Sequence, residues 1–151
     1  MRRLSWRAER KASRGGASNA VFVRAAVASL PRALTGIADE VTVNYPWGSL
    51  LRAIVAPDRA VLRRIAGVGR PGAALRVRVN ESALAAAQIA GADLDRFLPL
   101  LRRAYLESGV ALVSCGRSLT EADTAWSARV LGGRSGVVLA IDGMVQSARV
   151  G

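Results

Sequence analysis

The sequence predicts an α/β fold with a largely parallel sheet, because short strand-like runs alternate along the chain with helix-like segments. The strand-like runs that alternate in this way are Val41–Tyr45, Ala74–Val79, Val110–Ser114 and Val137–Ile141. The chain has 151 residues, and 51% of them are hydrophobic, which is enough for one domain or part of one to bury a core.

The first forty residues carry weaker signals. Residues 2–12 could form a basic helix, and residues 13–19 have loop composition. Ala20–Val23 is an apolar run that predicts a short strand. A turn at Leu30–Pro31 leads into a short helical stretch that extends to Ala38.

The middle of the chain alternates more regularly. Helical sequence covers Leu50–Val55 and Arg59–Ala66. Ala74–Val79 alternates apolar and charged residues, which predicts a strand with one polar face. Asp93–Ser108 is an amphipathic helix that Gly109 should end.

The last helix is predicted over residues 121–131 and contains Trp126. Thr120 and Asp123 resemble a capping box, and Gly132–Gly133 would end the helix. Arg129 lies three residues after Trp126, so both share one helix face. An indole beside a guanidinium suits base stacking and phosphate binding.

The Gly67–Gly72 segment spells GxGxxG, the pattern of a dinucleotide-binding loop. It follows a helix and precedes a strand, which is the reverse of the order that a cofactor loop requires. The segment is therefore predicted to end a helix and make a turn.

Charge favours a polyanionic partner, most simply nucleic acid. The net charge is +11, of which residues 1–14 contribute +5 (six basic residues against Glu9) and the remainder +6. Every basic residue except Lys11 is arginine, and a GC-rich coding sequence would also produce this bias. No uncharged apolar run reaches membrane-spanning length, and no secretory signal is apparent.

Several chemistries are excluded by composition. The chain has no histidine and one cysteine, Cys115, so an internal disulfide cannot form and a zinc site is not expected. The missing histidine also removes the usual general base of nucleophilic triads.

The segment Asn44-Tyr45-Pro46-Trp47-Gly48-Ser49-Leu50-Leu51 is the most informative part of the chain. Pro46 stops the preceding strand, because it lacks an N–H, and Gly48 permits a turn. Ser49 is expected to cap a helix that begins at Leu50. Trp47 is thereby held on a rigid turn at the carboxyl end of a strand, where ligands bind in open α/β sheets.

The Tyr-Pro-Trp-Gly-Ser-Leu-Leu run, followed about eighty residues later by Trp-x-x-Arg, resembles the Kam/Npm-type aminoglycoside-resistance methyltransferases. The resemblance runs from about Arg2 to about Val138. It implies methylation by S-adenosylmethionine of an adenine N1 in the decoding site of 16S ribosomal RNA. It also implies a class I, Rossmann-like methyltransferase fold with strand order 3-2-1-4-5-7-6.

The same resemblance implies roles for individual residues. Trp47 and Trp126 would stack on the two faces of the flipped adenine. The alternative for Trp47 is half-buried core packing, and the alternative for Trp126 is a place on an apolar helix face. Arg129 and Arg134 would lie near the target RNA, with a solvated surface position as the alternative. The residues that match the cofactor and target pocket are Val27, Ala28, Tyr45, Pro46 and Thr124. The family usually has a glutamate where this chain has Ala28, and a further basic residue where it has Gly136.

Family members begin with a strand, a glycine-rich cofactor loop, a helix and a second strand, whereas Arg2 onward resembles the helix after that second strand. The expectation is therefore a partial fold that lacks the first strands and the glycine-rich loop. Residues 1–18 would be a basic helix and loop, and residues 19–151 the C-terminal portion of a methyltransferase domain. Removing strands 1 and 2 would leave Val41–Tyr45 as an apolar sheet edge, which favours pairing with another chain. Either a longer reading frame or a degenerate gene product would give such a chain.

Three functions remain open on the sequence. The first is the rRNA methyltransferase, with S-adenosylmethionine as cofactor and 16S rRNA in the 30S subunit as partner, acting in the cytoplasm without metal or membrane. It leaves open whether this chain is itself an active enzyme. The second is a non-catalytic RNA-binding remnant, and the third is a protein-interaction module. A full-length protein is expected to be a monomer, and this fragment is expected to self-associate through its sheet edge.

Overall fold

The computed structural model describes residues 19–86, 94–120 and 136–147. The chain divides into two compact units, Met1–Pro31 and Arg32–Gly151. Thr124, Trp126, Arg129 and Arg134, like the helix predicted over residues 121–131 and the basic segment before Asn19, lie outside the described residues.

The described part of the first unit contains one 3-10 turn, Val27–Ser29. The turn is closed by the Ser29 N–H, which donates to the Ala26 carbonyl oxygen at 2.9 Å. The strand predicted at Ala20–Val23 is wrong, because these residues have no regular structure. Val21 is 88% exposed. The run has strand composition, but a strand also needs a neighbour with which to exchange backbone hydrogen bonds.

The described part of the second unit begins with a 3-10 turn at Arg32–Leu34 and continues through eight further elements. The strands are β1 (Ala38–Asn44), β2 (Gly69–Asn80), β3 (Val110–Thr120) and β4 (Gly136–Val145). The helices are α1 (Gly48–Val55), α2 (Arg59–Ala66), α3 (Glu81–Ala86) and α4 (Leu94–Glu107). No described helix is long and apolar enough to cross a membrane.

The four strands form one sheet in the order β1-β2-β4-β3. In the order 3-2-1-4-5-7-6, which the resemblance implies, the last four strands are 4-5-7-6, and these give the observed arrangement. β1 pairs with β2 in parallel, whereas β4 is antiparallel to both β2 and β3. β1, β2 and β3 therefore run in the same direction, as expected for a largely parallel sheet, and β4 is the reversed strand among those described.

Most of the core lies on one face of this sheet, although Val138 and Ala140 of β4 are buried on the other. Leu75, Val77 and Val79 alternate on β2 and are each at most 2% exposed. They are in register with Val41 and Val43 on β1 and with Ile141 and Leu139 on β4, so these side chains share a face. α2 packs against β2, and α4 packs against β3. The apolar alternation of β2 therefore specifies which face is covered.

The helices contribute their apolar stripes to the same core. Leu51 and Ile54 of α1, Leu62 of α2, and Leu101 and Tyr105 of α4 are buried. The Tyr105 hydroxyl donates to the Ile54 carbonyl oxygen at 3.5 Å, which links α4 to α1. α2 is capped by Asp58, whose carboxylate accepts from the N–H groups of Ala60 and Val61.

Two local predictions have opposite outcomes. Gly67 forms the C-cap of α2, and its N–H donates to the Arg63 carbonyl oxygen at 2.8 Å, so the GxGxxG segment does end a helix. Ser49 does not cap a helix at Leu50. α1 begins one residue earlier than Ser49, at Gly48, and its N-cap is Trp47, which makes no side-chain capping bond.

Candidate functional site

The candidate site is the turn that leaves the carboxyl end of β1. The Tyr45 N–H donates to the Arg78 carbonyl oxygen at 2.8 Å, which adds one rung to the ladder beyond Asn44. Tyr45 has a φ of 52°, in the left-handed region that non-glycine residues rarely occupy. Its side chain is only 7% exposed. The chain therefore turns sharply at a residue whose ring is fixed in the core.

The turn presents Trp47 to solvent. Pro46 is buried, and Trp47 follows in extended conformation (φ −128°, ψ 164°) with 55% of its surface exposed. The next residue, Gly48, has a φ of 58° and starts α1. Leu51 and Ile54 anchor α1 in the core, and the buried Tyr45 anchors the end of β1. The backbone of Trp47 is therefore fixed on both sides.

Backbone strain at this turn is a feature of the site rather than of the core. A left-handed conformation costs roughly 1–2 kcal/mol for a residue with a Cβ. Tyr45 is the non-glycine residue with positive φ in the described part of the chain. Such residues occur where the surrounding structure holds them in place, and they concentrate at functional sites.

A second strand ends beside the first. Because β1 and β2 are parallel, Asn80 at the end of β2 lies at the same sheet edge as the Tyr45 turn. The Asn80 side-chain oxygen accepts from the Ser82 N–H at 3.0 Å at the start of α3. Glu81 of α3 pairs with Arg117 of β3 at 2.9 Å.

Sequence reasoning missed both strand-final asparagines, Asn44 and Asn80, and it missed α3. The signal was present: each asparagine directly follows an alternating strand and precedes a turn or helix. In parallel sheets that position faces the ligand-binding edge.

The predicted site residues are brought together only in part. Tyr45, Pro46 and Trp47 are consecutive in one turn of the second unit. Val27 and Ala28 lie in the first unit, in its 3-10 turn, where Val27 is partly exposed and Ala28 is exposed. Thr124, Trp126, Arg129 and Arg134 lie outside the described residues, so their roles stay predictions.

The electrostatics of the turn suit a cationic cofactor group. Residues 44–50 contain no charged side chain. Arg78, the register partner of Asn44, is committed elsewhere, since its guanidinium donates to Asp142 at 2.8 Å and to the Val77 carbonyl oxygen at 2.9 Å. An uncharged, aromatic surface without a competing cation accommodates the sulfonium of S-adenosylmethionine. Tyr45 and Pro46 are the residues of this turn that the sequence predicts to line the cofactor pocket, and that role stays a prediction.

Ionisable groups away from the turn have structural explanations. Burial raises the pKa of the Cys115 thiol on β3, although Arg102 acts in the opposite direction. A raised pKa keeps this thiol protonated and poorly nucleophilic. Among the described residues, no group of three His, Cys, Asp or Glu side chains could hold a metal ion.

Proteins of known function are similar to this chain in sequence. The chain matches, over residues 1–145, the family described as NpmA: 16S rRNA (adenine(1408)-N(1))-methyltransferase. The 16S rRNA (adenine(1408)-N(1))-methyltransferase of Escherichia coli is 39% identical over 100 residues, which are 66% of this chain and 44% of that protein. The chain thus spans less than half the length of this relative.

Solved structures agree with the family match. The antibiotic-resistance methyltransferase Kmr superposes with a TM-score of 0.74 at 33% identity, covering 98% of this chain and 71% of that one. A tryptophan-to-alanine variant of the 16S rRNA (adenine(1408)-N(1))-methyltransferase from Catenulisporales acidiphilia, solved with its cosubstrate SAM, gives a TM-score of 0.81 at 28% identity. That superposition covers 100% of this chain and 72% of the other. By its family match, its sequence identity and its four-stranded sheet, this chain belongs to the NpmA family of 16S rRNA (adenine(1408)-N(1))-methyltransferases.

Proposed function

We propose that this chain acts in S-adenosylmethionine-dependent methylation of an adenine N1 in the decoding site of 16S rRNA, within the 30S subunit in the cytoplasm, and thereby in aminoglycoside resistance. The observation that carries the proposal is the exposed indole of Trp47 on the strained turn after β1. Membership of a family described by that reaction supports it.

Trp47 would act by stacking on the target base after it leaves its RNA stack. Base–aromatic stacking contributes about 1–3 kcal/mol per base. The 55% exposed indole offers a face for this contact, and the buried Tyr45 and Leu51 on either side keep it in place. Trp126 is proposed as the opposite wall, and Arg129 and Arg134 are proposed to contact the RNA backbone.

Methyl transfer to adenine N1 does not require a strong general base. A neutral adenine already carries an in-plane lone pair on N1, so positioning can supply most of the rate enhancement. When bound, S-adenosylmethionine supplies the methyl group. Tyr45 and Pro46 are proposed to line its site, and Val27, Ala28 and Thr124 stay predicted cofactor-binding residues. The absence of histidine from the sequence is compatible with this reaction.

The direct test incubates 30S subunits with the full chain and S-adenosylmethionine labelled in its methyl group. Because an N1 methyl blocks Watson–Crick pairing, a primer-extension stop locates the modified adenine. We expect Trp47→Ala to lower incorporation about 100-fold, and Trp47→Phe to retain more activity than Trp47→Ala. Val113→Ala is the matched control, since Val113 is an apolar side chain that is 69% exposed on β3.

The main alternative is an RNA-binding remnant that does not hold the cofactor. Isothermal titration of S-adenosylmethionine into the folded chain separates the two functions: micromolar binding supports the methyltransferase, and no binding together with salt-dependent RNA affinity supports the remnant. Wild-type incorporation that Trp47→Ala leaves unchanged would contradict the stacking role.

Self-association is proposed for a separate reason. β1 is an edge strand of the described sheet, so one side of its backbone has no strand partner among the described residues. Sedimentation velocity at several concentrations tests this, and a single monomeric species at all of them would contradict it.

A further inference from the structure

Asn44 is the final residue of β1 and precedes Trp47 by three positions. It alternates with the partly exposed Val43, so it lies on the sheet face opposite the core. The residue is exposed, and within residues 19–86, 94–120 and 136–147 its side chain forms no hydrogen bond. A carboxamide at this position offers one acceptor oxygen and two donor hydrogens to a ligand.

The neighbouring polar side chains form their hydrogen bonds with groups other than Asn44. Its register partner on β2 is Arg78, and that guanidinium is directed to Asp142 of β4 at 2.8 Å. Asn80, the asparagine that ends β2, has a different use, because its oxygen accepts from the Ser82 N–H at 3.0 Å. Of the two strand-final asparagines, Asn44 is therefore the one that precedes the exposed Trp47 by three residues and whose carboxamide has no hydrogen bond among the described residues.

We propose that Asn44 recognises the target base, with its Oδ1 accepting a hydrogen bond from the exocyclic amino group of the adenine that stacks on Trp47. This inference rests on the proposed function. Stacking alone cannot select the base, since every base has an aromatic face. A flipped base is identified by hydrogen bonds to its Watson–Crick edge, and the amino group of adenine lies next to N1 on that edge.

The reaction itself constrains which atom of Asn44 faces the base. The N1 lone pair forms the new N–C bond, and the electrons of the broken C–S bond leave with sulfur, so no proton moves in this step. A carboxamide N–H that donated to N1 would block the lone pair. Only Oδ1 can therefore face the base, and it accepts from the amino group.

This hydrogen bond would strengthen during methyl transfer. The ring becomes cationic as N1 is alkylated, and part of the positive charge passes to the amino group. An amino hydrogen with more positive charge is a stronger donor to Oδ1. Because the interaction is stronger in the transition state than in the ground state, Asn44 would increase the rate as well as select the base.

The test measures binding of the full chain to a decoding-site RNA hairpin that carries adenine, or purine without the amino group, at the target position. The readout is the dissociation constant for the purine RNA divided by that for the adenine RNA. A preference for one RNA that does not depend on Asn44 changes this ratio equally in every variant, so it cancels when the variants are compared. We expect the wild-type ratio to exceed that of Asn44→Ala by about 3- to 10-fold, the range expected for one hydrogen bond. Asn44→Asp retains an acceptor and should keep the preference for adenine.

Thr42→Ala is the matched control, since Thr42 is exposed on the same face of β1, two residues before Asn44. It should leave the ratio unchanged. Equal ratios for the wild type and Asn44→Ala would overturn the inference, even if Trp47→Ala weakens binding to both RNAs. If Trp47→Ala weakens neither, stacking on Trp47 fails and this inference fails with it, whereas the proposed function fails only if the wild-type chain incorporates no methyl group into 30S subunits. Should Asn44→Ala not fold, the near-isosteric Asn44→Asp decides: loss of the adenine preference would count against the inference.

Discussion

Tyr45 donates its backbone N–H to the carbonyl oxygen of Arg78 at 2.8 Å while its own φ, at 52°, has already left the strand region. The residue thus completes the β1–β2 ladder and begins the turn that exposes Trp47. Strand pairing on one side and the buried ring on the other hold the strained conformation in place. The strand pairing and the buried ring of Tyr45 therefore determine where the Trp47 indole lies.

The turn should be sensitive to backbone changes that add no steric clash. Gly48 has a φ of 58°, and a Cβ built there meets nothing within 4 Å. We expect Gly48→Ala to lower the free energy of unfolding by about 1 kcal/mol, because alanine is strained in the left-handed region. Urea denaturation measures the change. Gly116→Ala is the control: a Cβ there also meets nothing within 4 Å, and its φ lies outside that region. Equal effects of the two substitutions would contradict the explanation.

Substitution of Gly143 should destabilise the protein for a steric reason. A Cβ at Gly143 on β4 would lie 2.7 Å from Val110 Cγ1 and 2.9 Å from the Ala111 carbonyl oxygen. The backbone oxygen cannot move without disturbing the β3–β4 ladder, so Gly143→Ala should destabilise the protein by about 1–3 kcal/mol. Thermal unfolding followed by circular dichroism tests this. A melting temperature equal to that of Gly116→Ala would show that the sheet adjusts freely.

Alkaline pH should lower the free energy of unfolding through ionisation of Tyr105. Burial, with a smaller contribution from Cys115, raises the pKa of this phenol above its ordinary value of 10.0. The unfolded chain therefore releases the proton first, so the stability contribution is complete below about pH 10 and is lost as pH rises toward the folded-state pKa. We expect the free energy of unfolding to fall above that pH in the wild type, and to fall less in Tyr105→Phe. Parallel curves for the two proteins would contradict this assignment.

Acid pH should lower the free energy of unfolding through protonation of Glu107. Hydrogen bonds from Arg103 at 2.8 Å and Arg59 at 2.6 Å lower the pKa of this carboxyl below its ordinary 4.5. Because the folded-state pKa is depressed, the stabilisation is present above about pH 4.5 and is lost as pH falls through the folded-state value. The difference in unfolding free energy between the wild type and Glu107→Gln should therefore shrink as pH falls below about 4.5. A difference that does not change with pH would show that the carboxylate charge is unimportant.

The sequence predicted the second unit of the fold well where local pattern decides structure. The alternation in Ala74–Val79, the amphipathic stripe of α4 and the helix end at Gly67 were each specified by neighbouring residues. Ala20–Val23 failed because a strand also depends on a distant partner. The reversed direction of β4 was missed because strand direction is decided by long-range pairing, which periodicity does not encode.

The site was predictable at the level of its turn. Pro46 and Gly48 indicated where β1 would stop, and Trp47 lies exposed at that point. The left-handed Tyr45 was not foreseeable, because an aromatic residue gives no local signal for positive φ. Ser49 was wrongly expected to cap α1, since the sharp turn lets the helix begin at Gly48 with Trp47 in the capping position.

The position of β4 between β2 and β3 has a consequence for how the chain folds as it is synthesised. Its partners lie far back in the sequence: Arg78 and Asp142 bond across 64 residues. While residues 136–145 are still in the ribosomal tunnel, β3 has no neighbouring strand among those described, and its backbone stays unpaired. Sheet completion is then a late, non-local step, which is typical of slow folding. A nascent chain released before residue 136 would carry the β1–β2 pair and an unpaired β3, and would be a natural substrate for chaperones and proteases.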